Sequence, residues 1–338
     1  MYTERRYGYW MTIHWSRKGL YFGAATGLLA VILYEVACLK WMAVPWQPVA
    51  LIGTALAFYL GFKNNASYDR LWEARKIWGA ILNCSRSFGA AVLGYVSNLH
   101  AAEKVGEDEL QIIHKKLIYT HLAWVTCLRY QLRAPRNWEH TDELLHNIYP
   151  QVKTLEFTIK LEDELQKFLS KEEIARLDGK SNRAAQLLVR QSLELKKIRE
   201  VGLIDDFRHM ELQKFVSAMY DEQGKSERIK NFPFPRQYAS IPLLLIKITS
   251  ILVPFALLDE FENLGPHLVW LTIPFSAIVT WVFILMEMIG DYSENPFEGT
   301  YNDVPISALS RTIEIDLKEM LEEKDIPASL QPIEGMLM

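Results

Sequence analysis

The chain has 338 residues, 50% of them hydrophobic and 23% charged, and carries a formal net charge of -4. That composition excludes disorder, collagen-like repeats and a disulfide scaffold, and so mild an acidity gives no electrostatic reason for a nucleic-acid partner. Cys38, Cys84 and Cys127 are far apart, without a CxxC pair, which argues against structural zinc and leaves them as small buried hydrophobes.

A mean hydropathy of -0.01 hides two kinds of sequence. The first uncharged run, Gly19 to Tyr34, predicts a helix that could extend to about Val44. The second lies between Lys40 and Lys63 and holds 22 residues. A later segment from Tyr238 to Leu258 carries one charge, Lys247, and the run between Glu262 and Glu287 holds 24 residues. A bilayer-spanning helix needs about 20, so four spans are predicted. No signal-peptide pattern precedes the first, which is expected to be retained.

Lys and Arg near the span ends set the orientation. Arg5, Arg6, Arg17 and Lys18 precede the first span, and Lys63, Arg70, Arg75 and Lys76 follow the second. The link at 259–267 has no Lys or Arg, so it is expected outside and both termini in the cytoplasm. Between the second and third spans the chain is polar, with apolar residues at three- and four-residue steps over Leu161 to Leu203, as in amphipathic helices. A further amphipathic helix is expected over Ile306 to Glu323. The predicted organisation is all-α: 1–100 with the first two spans, 101–235 as a helical cytoplasmic domain, 236–290 with the last two spans, and 291–338 as a cytoplasmic tail.

No enzyme signature is found: there is no GxGxxG after a strand, no GxxxxGK[ST], no HExxH and no GxSxG. His114 and His121 share roughly one helical face, but no third ligand accompanies them, so no metal is expected there. On the second span Thr54, Phe58 and Phe62 recur every four positions and line one face, with Gly53, Ala57 and Gly61 as a small-residue stripe beside it. By spacing alone the aromatic face suits lipid or a packed core better than a pore. Glu35, Lys247 and Glu287 sit in or at the ends of spans, where ionisable groups are costly. Lys247, near the middle of the third span, is expected to pair with Glu35 or Glu287.

Directly after Phe62 the chain turns polar and rich in Trp, Arg and acids. Leu60-Gly61-Phe62, Asn65-Ala66, Tyr68-Asp69-Arg70, Trp72-Glu73-Ala74-Arg75 and Trp78-Gly79 resemble the bestrophin ion-channel family, particularly its bacterial branch. Glu294-Asn295-Pro296-Phe297 and, more weakly, Asn231-Phe232-Pro233-Phe234-Pro235 extend the resemblance over about residues 5–320.

The resemblance implies a homopentamer around one axial pore, embedded in lipid of the cell (inner) membrane and passing small monovalent ions, chloride first. It places Thr54, Phe58 and Phe62 in a hydrophobic neck, where an apolar constriction gates by dewetting. Thr54 departs from the aliphatic or aromatic residue usual at the first position, and its hydroxyl should make that ring easier to wet. Phe234, or else Ile229, is the candidate cytoplasmic aperture. Asp69, Arg70, Glu73 and Arg75 are expected in intersubunit salt bridges. No cofactor is expected; a residual calcium site would use Asn295 and Asp303. The acidic link of Asp259, Glu260 and Glu262 keeps a cation channel of the same fold open as an alternative, and a non-conducting membrane scaffold is the other.

Overall fold

The computed structural model describes residues 1–101, 103–140 and 154–338. Helices account for its regular structure, apart from isolated bridges between Tyr2 and Met336 and between Ile333 and Met336. In chain order the helices are α1 (Tyr9–Val31), α2 (Trp46–Tyr95), α3 (Glu107–Arg133), α4 (Leu155–Thr158), α5 (Leu161–Leu165), α6 (Lys171–Ala175), α7 (Arg183–Glu200), α8 (Asp206–Asn231), α9 (Arg236–Glu262), α10 (Thr272–Asp291) and α11 (Ile306–Met320).

Two compact units emerge, one of 4–71 and 233–295, the other of 1–3, 72–232 and 296–338. The expected boundaries at 100/101, 235/236 and 290/291 are thereby corrected. The reason lies in α2, which runs 50 residues without a break. No proline follows Pro48 within it, and the Lys, Arg and Glu that begin at Lys63 are good helix formers, so a change of polarity does not end the helix. Beyond residue 71 its buried face, Ala74, Ile77, Trp78, Ile81, Phe88 and Val92, belongs to the core of the second unit.

In the first unit four long helices are apolar enough to cross a membrane, and α2, α9 and their continuations supply the longest. Helix α1 packs along α10 through Gly19, Gly23 and Gly27. A Cβ on Gly23 would lie 2.7 Å from the Ser276 carbonyl oxygen and 2.8 Å from the Ala277 Cα. Small residues at this spacing let helix backbones approach closely where lipid offers no hydrophobic drive for association. The stripe expected on α2 does not play that part within the chain: Gly61 has nothing within 4 Å and Gly53 only ordinary contact with Phe283. Gly23→Ala should therefore force α1 from α10 and lower the thermal midpoint in detergent, whereas Gly61→Ala should leave it unchanged.

In the second unit α3 packs on α7, α8 and α11, and α7 on α8, and the part of α2 beyond residue 71 belongs to the same unit. His121 is enclosed there, its Nε2 2.9 Å from the Ser85 Oγ, with the rings of Phe88 and Trp124 each 5.2 Å away. Burial pushes its pKa from 6.5 down to about 3. The folded state thus refuses a proton that the unfolded chain accepts, so this contribution to stability is complete above pH 6.5 and is lost as pH falls toward 3. The thermal midpoint should begin to fall below about pH 6.5, ahead of carboxylate protonation, and His121→Gln should remove that early part. His114 instead meets the Val96 carbonyl oxygen at 2.9 Å, so the two histidines are drawn to different partners.

Candidate functional site

Successive residues of a helix are about 100° apart, which sorts α2 into two opposite faces. Leu56, Leu60, Lys63 and Ser67 are fully buried on one of them. On the other, Thr54, Phe58, Phe62 and Asn65 are exposed, with Phe58 67% and Phe62 68% accessible. An open groove of about 460 Å³ is lined by Thr54, Ala57, Phe58, Gly61, Phe62 and Asn65. Its lining offers ring edges, a hydroxyl and an amide but no formal charge. The Thr54 hydroxyl donates to the Ala50 carbonyl at 2.8 Å, leaving its lone pairs toward the groove.

Directly behind Phe62 lies a group that spacing did not reveal. The Lys63 ammonium is fully buried, 2.8 Å from Glu287 and 3.9 Å from both Asp291 and Glu294. Asn64 donates to the Met286 carbonyl at 3.0 Å, and Arg236 stands 3.8 Å from Glu294. In the sequence Lys63 reads as one more cytoplasmic cation; its only hint is that Glu287 and it bound the two long uncharged runs.

Lys247 does not pair as expected. Glu287 is held by Lys63, and Glu35 by Lys40 at 2.9 Å, while Lys247 is exposed with no ion-pair partner among the described residues. Both carboxylates are already engaged, and an exposed lysine can run its stem along apolar surface while its ammonium keeps to polar surroundings.

Both aperture candidates need correction as well. Phe234 is 4% accessible, its ring edge-on to Tyr238 at 6.1 Å, and Ile229 is 5% accessible. Neither can present a side chain to a lumen; Phe232, at 63%, is the exposed phenylalanine of that motif. Of the charges below the stripe, Glu73 is paired within the chain to Arg228 at 2.6 Å instead of being left for a neighbouring subunit. Asp69 and Arg75 are exposed, and Arg70 is half-buried.

The residues named for calcium do not fit it. Hard Ca²⁺ wants six to eight oxygens, yet the Asp303 carboxylate is spent on the backbone N–H groups of Phe297, Gly299 and Val304, at 2.8, 2.8 and 2.6 Å, and on the Arg133 guanidinium. Among the described residues no group of three or more His, Cys, Asp or Glu is arranged to hold a metal.

At the far end of the first unit the acidic link is partly neutralised. Lys40 bridges Glu35 and Glu262, at 2.9 and 2.8 Å, with its ammonium 3.8 Å from the Tyr34 ring centre. The Tyr34 hydroxyl donates to Asp259 at 3.0 Å and also to Glu262.

With this geometry in view, the comparisons with known proteins converge. The family described as "Bacterial/Fungal Bestrophin protein" matches residues 19–319. The voltage-dependent anion channel-forming protein YneE of Escherichia coli is 27% identical over 335 residues, covering 94% of this chain and 95% of that protein. A voltage-dependent anion channel-forming protein of Ralstonia nicotianae is 27% identical over 328 residues, covering 93% and 94%. Among solved structures, a bacterial bestrophin homologue from Klebsiella pneumoniae superposes with a TM-score of 0.74 at 22% identity, covering 91% of this chain and 99% of that one.

Proposed function

The chain belongs to the bacterial and fungal bestrophin family, and from that premise we propose that it forms a homopentameric channel in the cell's inner membrane that passes small monovalent anions, chloride first. Both termini lie in the cytoplasm in this reading, as the Lys and Arg flanking the spans require. One observation carries it: α2 turns two phenylalanines and a threonine outward along a groove while its opposite face is buried. Outward aromatic rings on an apolar helix are accounted for when several copies face one another around an axis. The relatives named as voltage-dependent anion channel-forming proteins support the sign of the ion.

Thr54, Phe58 and Phe62 form the neck, a constriction that dewets when narrow and conducts when wide. Because its lining has no fixed charge, selectivity arises from width and from the positive ring edges of the phenylalanines, which favour an anion in their plane. Asp69 and Arg75, exposed below the neck, are assigned to contacts between subunits. A cation channel of the same fold is favoured by one feature, the outer cluster in which Glu35, Asp259, Glu260 and Glu262 outnumber Lys40.

Reversal potentials of the purified protein in planar bilayers under a KCl gradient decide the matter. A reversal near the chloride equilibrium potential is expected. Reversal near the potassium potential would establish the cation reading, and no current, even after Phe58→Ala and Phe62→Ala, would leave the scaffold.

A further inference from the structure

The apolar contacts that hold α2 in the first unit have little directional content. Leu56 and Leu60 pack on Ile246, Phe283 and Ile284; these contacts keep the buried face inward, but being non-directional they resist a small turn of the helix less sharply than a charged pair does. The consequence at the groove would be large. Phe58 and Phe62 line it beside Ala57 and Gly61, and a turn by even part of the roughly 100° between successive residues would shift that lining from the rings toward the small residues. Something must set the balance between aromatics and small residues.

We propose that Lys63 makes that choice: it is a positioning residue whose buried ammonium fixes the rotation of α2 and so holds Phe58 and Phe62 toward the groove. Its side chain is fully buried while that of Phe62, one position earlier, is 68% exposed. The ammonium faces Glu287 at 2.8 Å, with Asp291 and Glu294 each at 3.9 Å, all from α10 and the turn after it. A buried charge cannot leave such partners without a large desolvation penalty, so the pair opposes any turn of α2 that would strand it. Asn64 reinforces the setting through the Met286 carbonyl. At Gly290 an added Cβ would fall 2.2 Å from the Asn64 Oδ1, so a side chain there would displace the Asn64 amide.

The role of the neck in conduction rests on the channel reading; the rotation of α2 does not, and the test separates them. Single cysteines are placed at Gly61 and at Phe62 in a Cys38→Ala background, and their rates of modification by a charged methanethiosulfonate are compared in liposomes. With Lys63 present the cysteine at 62 should react faster. Lys63→Met should reduce the ratio of the two rates by about tenfold, the factor for about 1.4 kcal/mol of lost rotational preference, and Lys63→Arg should restore it. Gly290→Ala keeps every charge but displaces Asn64, and should move the ratio the same way by less. In the conducting protein Lys63→Met should also raise the permeability of large anions relative to chloride. An unchanged ratio in Lys63→Met, or in Glu287→Gln and Gly290→Ala where Lys63→Met does not assemble, overturns the proposal. Absence of current in the wild type overturns the channel reading alone, because the accessibility ratio still stands or falls by itself.

Discussion

Replacing Phe58 and Phe62 with alanine should raise the unitary current by about tenfold, the equivalent of about 1.4 kcal/mol removed from a dewetting barrier, with little change in stability. The two effects separate because of where the rings are. Each is about two-thirds accessible on the chain, so truncation removes few packing contacts, and substitutions at exposed positions usually stay within about 0.5 kcal/mol. What truncation does remove is apolar surface from the groove, at the proposed neck. Under the proposed selection by ring edges and width, reversal potentials under mixed anions should also lose discrimination. The control lies on the opposite face. Leu56→Ala or Leu60→Ala empties a fully buried site and should cost about 2–5 kcal/mol while leaving the current of assembled channels near the wild-type value. Single-channel recording and thermal melts of the same preparations give both readings. Equal currents in Phe58→Ala and wild type would remove the neck from this face.

The contrast between these faces also marks what the sequence could and could not disclose. Four spans were legible because uncharged runs of bilayer length are rare in chains that stay in water, and the Thr54, Phe58, Phe62 spacing put all three on one face. Spacing could not say that this face is the outward one. That depends on what Leu56 and Leu60 meet, namely Ile246 and Phe283 from distant parts of the chain. The same limit hid the role of Lys63, whose burial requires Glu287 at a separation of 224 residues. Phe234 reads as an aperture in the motif, but its ring is buried within the chain, edge-on to Tyr238. By contrast, the glycine stripe of α1 was in plain view. Gly19, Gly23 and Gly27 have the four-residue spacing of a close helix contact, as clearly as Gly53, Ala57 and Gly61 do. Composition puts a boundary at 100, but helix continuity depends on propensity and breakers, and neither changes at residue 71.

Arg133→Met should destabilise the second unit by about 3–5 kcal/mol, the usual cost of removing one partner from a buried ion pair, and Asp303→Ala by at least as much. Both side chains are 1% accessible. The pair is not isolated: Arg129 lies 2.9 Å from Glu156, Arg133 4.0 Å from the same carboxylate, and the Ser307 hydroxyl donates to it at 2.7 Å. Asp303 in addition gathers the turn after α10. Its carboxylate accepts from three backbone N–H groups of that turn, which holds Phe297 at φ 75° and Gly299 at φ 94°. A left-handed φ at a buried phenylalanine costs energy that the surrounding structure must supply. This arrangement predicts an asymmetry that a simple ion pair lacks. Where two buried charges serve only each other, replacing both with apolar residues often restores stability. Here the double variant Arg133→Met, Asp303→Leu should remain as unstable as Asp303→Leu alone, because the three N–H groups lose their acceptor whatever stands at 133. Midpoints in detergent should fall by on the order of 10 °C. Recovery of the double variant to wild-type stability would show that Asp303 serves the guanidinium alone and that the turn holds its own shape.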